Sequence, residues 1–240
     1  MRTARFRTPD GVVTGEYDDE SVTADGETHD LADGDVELLA PVEPPVFYCA
    51  ARNYGSYIEE NEFEDPGGVE FFLKPPVSVH PPEATIPYPS FSGEIGYAGE
   101  LAAVIGTECR DVPRDEVTDV VRGYTIMNDV DAKDQPRISM RKAFDAAAPL
   151  GPCIATDVDP TDLDIETRIE GELRQQANTG EMNHPPDEVI SFLSERFTLR
   201  PGDVIAFGSP ANPGPFEPGD EIAVTYEGIG TLRNTLGSPE

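Results

Sequence analysis

The chain has 240 residues, of which 47 are acidic and 17 basic, and its formal net charge at pH 7 is −30. This excess of negative charge repels nucleic acid and anionic membranes, so we expect neither as a partner. Apolar runs such as LAAVI are also far shorter than the ~20 residues that a membrane-spanning helix needs. The acidic residues are spread along the whole chain, which indicates a solvated surface adapted to a salt-rich cytoplasm, where the screening length at ~1 M salt is only ~3 Å.

The first predicted elements are short hairpins. Alternating runs separated by turn signals such as TPDG and ADGE predict a small hairpin-rich region over residues 1–44. A proline-rich stretch, PVEPP, then suggests a boundary, and we predict one domain over residues 45–240. The three cysteines (Cys49, Cys109 and Cys153) are too widely separated for a CxxC pair. We therefore expect free thiols and a cytoplasmic protein.

Beyond residue 45 the predicted elements are mostly strands. β-prone runs follow one another as VFYCA, EFFLK, ELAAVIG, YTIMND and LDIETRIEGELR. Helical periodicity is confined to two segments, RDEVTDVVRGY (114–124) and PDEVISFLSERF (186–197), each with apolar residues on one face. The second of these also begins with a proline, as many helices do. The sequence therefore predicts a mostly β fold with a few short helices.

Seven motifs occur in one order along the chain: ARNYGSYIEE, FFLKP, GELAAVIG, GYTIMNDVDAKD, KAFDAAAPLGP, GELRQ and TLRPGDVIAFGSP. This series resembles the fumarylacetoacetate hydrolase family over roughly residues 46–236. The resemblance implies a rolled β-sandwich or barrel core, usually dimeric, with Mg²⁺ or Mn²⁺ held by three carboxylates. It also implies action on small 2-oxo acids, by cleavage of acylpyruvates, decarboxylation, dehydration or isomerisation.

The family's metal motif is altered in this chain. Two carboxylates at alternate positions of a strand point the same way and can share one cation. The family's Glu-x-Glu pair reads Ala98-Gly99-Glu100 here, whereas Asp129 in MNDVDAKD matches the third ligand. We therefore predict Glu100 and Asp129 as remnants of a metal site that binds Mg²⁺ or Mn²⁺ weakly or not at all. The alternative is that both are ordinary acidic residues of a solvated face.

The family's water-activating pair is also altered. It consists of a histidine and a glutamate, and this chain has Tyr57 at the histidine position and Glu60 at the glutamate position. A phenol with a pKa near ~10 is a poor base at neutral pH. The substitution therefore disfavours activation of water for hydrolysis.

Lysine is rare in this chain, and all three of its lysines fall on family motifs, although Lys133 stands where the family usually has an arginine. Lys142 would direct its ammonium group at the oxygen of an enolate, and Lys74 lies in the FFLKP motif. Simple pairing of these lysines with nearby acids, such as Lys142 with Asp145, is the alternative. The resemblance also implies five substrate-binding residues: Asn53, Tyr54, Lys74, Gln175 and Ser209.

Two functions of different classes follow from these residues. The first is a metal-assisted decarboxylase or tautomerase of a small 2-oxo acid, which needs enolate stabilisation but no activated water. The second is a catalytically silent homologue that serves as a binding module or as a subunit beside an active paralogue. For the enzyme, we expect a homodimer.

Overall fold

Strands account for most of the regular structure in the computed structural model, which describes residues 1–239. In chain order they are β1 (Arg2–Thr8), β2 (Gly11–Asp18), β3 (Ser21–Ala24), β4 (Glu27–Asp30), β5 (Glu37–Leu39), β6 (Phe47–Ala51), β7 (Glu70–Lys74), β8 (Val79–His80), β9 (Thr85–Ile86), β10 (Ile95–Gly96), β11 (Gly99–Ile105), β12 (Val121–Asn128), β13 (Asp131–Ala132), β14 (Ala148–Ala155), β15 (Asp164–Ile169), β16 (Glu172–Asn178), β17 (Val204–Ala206), β18 (Glu221–Tyr226) and β19 (Gly230–Leu236). The prediction of a mostly β fold is confirmed.

Helices are few and short. The α-helices are α1 (Gly55–Glu60), α2 (Ile138–Lys142) and α3 (Pro186–Arg196). Single 3-10 turns or short 3-10 helices cover Leu31–Asp33, Pro76–Ser78, Arg114–Asp119 and Thr179–Glu181. Within residues 1–239, no helix has the length and apolar character needed to cross a membrane.

One of the two predicted helices is correct and the other is wrong. The segment 186–197 forms α3, whose apolar residues Val189, Ile190 and Leu193 are buried. The segment 114–124 instead forms a 3-10 helix over Arg114–Asp119 and then enters β12. Its β-branched and aromatic residues favour a strand, and pairing with β11 stabilises that choice.

Three sheets organise the strands. The largest has twelve strands, with the order β4-β3-β2-β1-β14-β12-β11-β17-β6-β7, and with β5 paired to β1 and β8 paired to β14. The second has five, in the order β16-β15-β18-β19-β9, and β10 and β13 form a two-stranded ribbon. This architecture agrees with the rolled β core that the family resemblance implies.

The hairpins predicted for residues 1–44 are present as the meander β1 to β4. Strand β1 also pairs antiparallel with β14, so that Arg2 faces Ala155 and Thr3 faces Ile154. The N-terminal region therefore extends the large sheet of the segment that follows it. The proposed division of the chain at residue 44 stays a prediction.

The central strands β11 and β12 position the charged residues of the chain's interior. Strand β11 lies between β12 and β17 and is buried along its whole length. Its residues are apolar except Glu100, which pairs in register with Met127 of β12. Because the strands are antiparallel, the start of β11 lies beside the end of β12, where the chain continues to Asp129. The fold therefore brings Glu100 and Asp129 to the same edge of the sheet.

Candidate active site

A cavity of about 640 Å³ opens at this edge, a size that suits a small organic ligand. Aromatic and aliphatic side chains form part of its wall: Tyr57, Phe63, Phe71, Phe72, Tyr97 and Ile138. Charged side chains also line it, among them Glu100, Asp129, Asp131, Arg141 and Lys142. The combination of an apolar wall with a few convergent charges is typical of a binding or catalytic site.

Asp129 is buried between two lysines. Lys74 Nζ lies 2.7 Å from Asp129 Oδ1, and Lys142 Nζ donates a hydrogen bond of 2.5 Å to Oδ2. Lys74 is fully buried, and its Nζ also donates to the carbonyl oxygens of Val130 and Ala147. Both lysines therefore do pair with an acidic residue, but the partner is Asp129 and not the Asp145 suggested for Lys142.

Asp131 is a further carboxylate of the site that the sequence analysis did not single out. Arg141 donates to both of its oxygens, with a distance of 2.9 Å from Nε to Oδ1. Lys142 Nζ lies 3.3 Å from Asp131 Oδ2 and so contacts both aspartates. The signal available in the sequence was spacing: residue 131 follows Asp129 by two positions, and alternate residues of an extended chain point the same way.

Together these contacts form an ion chain, the alternating series of Lys74, Asp129, Lys142, Asp131 and Arg141. Burial by itself would raise the pKa of Asp129, but the ammonium groups of Lys142 and Lys74 outweigh it and lower that pKa. Burial would likewise lower the pKa of Lys142, and the carboxylates of Asp129 and Asp131 instead raise it above its ordinary value. Asp129 and Lys142 are therefore both charged at neutral pH.

Glu100 has different surroundings. Burial is the main cause that raises the pKa of Glu100 to about 8, and the negative charge of Asp129 is the second. Its Oε2 accepts a hydrogen bond of 3.0 Å from the backbone N–H of Gly208. The glutamate predicted from the sequence therefore lies in the cavity wall and not on a solvated face.

The two residues of the altered water-activating pair lie on α1, over the cavity. Burial raises the pKa of Tyr57 above its ordinary value. The ring of Tyr57 packs edge-on against Phe63, with 5.9 Å between the ring centres. Glu60 Oε2 accepts a hydrogen bond of 2.8 Å from the backbone N–H of Asn212, which fastens α1 to the loop that follows β17. Both residues line the cavity, and a catalytic role for either stays a prediction.

Apart from Lys74, which is fully buried against Asp129, the predicted substrate-binding residues divide into two groups. Ser209 lines the cavity, and its hydroxyl accepts a hydrogen bond from Gln175 Nε2. Gln175 is buried and braces the loop after β17 through the carbonyl oxygens of Pro210 and Ala211. Asn53 is buried and bonds to the backbone of His184 and Phe207, and Tyr54 is fully buried. A substrate-binding role for these residues stays a prediction.

The family model for the fumarylacetoacetate (FAA) hydrolase C-terminal region matches residues 46–237. The chain therefore belongs to this family. Protein Rv2993c of Mycobacterium tuberculosis is 37% identical over 261 aligned positions, which cover 98% of each chain.

Solved structures support the same assignment. The 2-hydroxyhepta-2,4-diene-1,7-dioate isomerase of Mycobacterium marinum is 36% identical, with a TM-score of 0.88 over 99% of this chain and 98% of its own. The fumarylpyruvate hydrolase of Pseudomonas aeruginosa is 31% identical, with a TM-score of 0.76 over 84% of this chain and 91% of its own. That structure is a complex with Mn²⁺ and pyruvate.

The residues present here do not fit a three-carboxylate metal centre. The first ligand position of the family motif is the methyl group of Ala98, which is buried and lines the cavity beside Glu100. Both oxygens of Asp129 are already in contact with ammonium groups. Within residues 1–239, no group of three or more histidine, cysteine, aspartate or glutamate side chains is arranged to hold a metal ion.

Proposed function

We propose that the cavity binds a small 2-oxo acid and that the protein catalyses its decarboxylation or tautomerisation. The observation that supports this most strongly is Lys142, a buried ammonium group in the cavity wall that Asp129 and Asp131 hold in place. The family membership supports the substrate class, because an isomerase and a pyruvate-bound hydrolase are among the structural relatives.

Both reactions pass through an enolate. In decarboxylation of a 3-carboxylated 2-oxo acid, the bond between C3 and the carboxylate breaks and its electron pair forms a double bond between C2 and C3. The π pair of the keto group moves to the keto oxygen, which gives the enolate. Carbon dioxide leaves, and a proton from water later returns to C3. A fixed ammonium group beside the keto oxygen stabilises the negative charge that develops there. Keto–enol tautomerisation needs the same stabilisation while one proton leaves the enol oxygen and another is added at C3, or the reverse.

Hydrolysis of an acylpyruvate is disfavoured at this site. It needs a base that activates water, and the phenol of Tyr57 has its pKa raised further by burial. The part of the chain that the structure describes contributes no histidine to the cavity wall. The proposed reactions avoid this requirement.

The Tyr57→His variant tests the proposal. Because imidazole is an effective base near neutral pH, we expect Tyr57→His to raise acylpyruvate hydrolysis by tenfold or more, about 1.4 kcal/mol in barrier. Oxaloacetate decarboxylation should change little. The measurement compares initial rates for both substrates, with Tyr57→Phe as the control that removes only the hydroxyl. Efficient hydrolysis by the unmodified protein, undiminished in Tyr57→Phe, would contradict the proposal.

A second candidate is the catalytically silent homologue, which is favoured because Ala98 and Tyr57 replace a metal-ligand glutamate and a histidine of the family pattern in one site. It predicts binding of a 2-oxo acid without turnover of oxaloacetate, acylpyruvate or an enol tautomer. The same rate measurements distinguish it from the enzyme.

A further inference from the structure

The ion chain contains three cations and two carboxylates, whereas a metal centre of the family type contains carboxylates that surround a cation. Lys142 Nζ lies between the two aspartates, 2.5 Å from Asp129 Oδ2 and 3.3 Å from Asp131 Oδ2. Lys74 contacts the other oxygen of Asp129 at 2.7 Å. Both carboxylate oxygens of Asp129 therefore already lie beside ammonium groups.

The alanine at position 98 also makes the site less negative than the family's metal site. A glutamate there would add one negative charge to the cavity wall, and the methyl group of Ala98 adds none. Lys74 and Lys142 thus face one carboxylate fewer than in the family pattern. This difference lowers the attraction for a divalent cation and raises the attraction for an anion.

Arg141 supplies donors suited to a carboxylate. Its Nε and one terminal nitrogen bond to Asp131, which fixes the plane of the guanidinium group. The other terminal nitrogen, Nη1, makes no hydrogen bond to any residue within 1–239. Arg141 lines the cavity and its side chain is 34% exposed, so a ligand can reach it. A fixed guanidinium group recognises carboxylates well.

We infer that the ion chain replaces a divalent metal as the positive centre of this site, so that a 2-oxo acid binds through Lys142 and Arg141 without a metal ion. The ligand's carboxylate binds Arg141, and its keto oxygen binds Lys142. This inference rests on the proposed function for its ligand class and goes beyond it by assigning the binding groups.

The test is the affinity for pyruvate, measured by calorimetry or ligand-observed NMR at one fixed KCl concentration. The protein is first stripped with EDTA, and one half then receives millimolar Mn²⁺. We expect the dissociation constants of the two samples to agree within about twofold. Binding only in the Mn²⁺ sample would overturn the inference and leave the proposed function standing. Absence of binding in both samples would overturn both.

Variants assign the binding to the ion chain. Lys142→Met keeps the length of the side chain but removes its charge, and it should weaken pyruvate binding at least about tenfold. Arg122→Met removes one positive charge from an exposed position away from the cavity and should leave the affinity unchanged. Because Lys142 is buried, its substitution puts folding at risk. Arg141→Gln, at a more exposed position, therefore serves as a second variant. Wild-type affinity in a folded Lys142→Met or Arg141→Gln protein would overturn the inference.

Discussion

The Asp129→Ala variant should be less stable than the unmodified protein by about 3–5 kcal/mol, because removal of one partner leaves buried charges uncompensated. Asp129 contacts the ammonium groups of both Lys74 and Lys142, and all three side chains are buried. Lys74 lies wholly inside the protein and cannot reach water to recover its hydration. The loss should appear in urea unfolding curves recorded at a constant KCl concentration.

The control for this variant is Asp187→Ala. Asp187 accepts a hydrogen bond of 2.8 Å from Arg114, but both side chains are substantially exposed. Pairs of this kind contribute about 0–1 kcal/mol, so the control should lose little stability. Equal and small losses in the two variants would show that Asp129 is not the centre of a buried ion chain.

The Ala98→Glu variant should restore metal binding. Residues 98 and 100 lie about 7 Å apart along an extended chain, and both line the cavity. A glutamate at position 98 would therefore place a third carboxylate beside Glu100 and Asp129. We expect the variant to bind Mn²⁺ at least tenfold more tightly than the unmodified protein, which corresponds to about 1.4 kcal/mol. Because the ion binds only the folded state, Mn²⁺ should also raise the variant's melting temperature.

Ala98→Gln is the matched control, since it adds a side chain of the same size without the charge. It should bind Mn²⁺ as weakly as the unmodified protein. Titration of Mn²⁺ into the three proteins, followed by calorimetry, measures the difference. Equal affinities in the Glu and Gln variants would mean that the cavity no longer accommodates the missing ligand.

The family resemblance, and not a local pattern, predicted that Glu100 and Asp129 share one site. The antiparallel pairing of β11 with β12 explains why they do, since it sets the start of one strand beside the end of the other. Helix α3 was also predicted, since its apolar spacing is strong and its start is marked by proline. The segment 114–124 was misjudged because its valines suit both a helix face and a strand, and only the partner strand decides.

Other features of the site depend on packing between distant segments. The bond between Arg141 and Asp131 depends on how α2 packs beside β13, and no local pattern fixes that angle. Motif matching also does not distinguish residues that face a ligand from residues that hold a loop. Asn53 and Gln175 show this, because their amide groups bond to backbone atoms inside the protein.

The rate of oxaloacetate decarboxylation by metal-stripped protein in excess EDTA shows whether Lys142 supports turnover without a metal ion. EDTA also suppresses the background reaction that free metal ions promote through Lewis-acid catalysis. We expect turnover above the buffer rate in EDTA, no significant gain on supplying Mn²⁺, and loss of turnover in Lys142→Met but not in Arg122→Met. Turnover that appears only when Mn²⁺ is supplied, or that survives unchanged in Lys142→Met, would contradict this expectation.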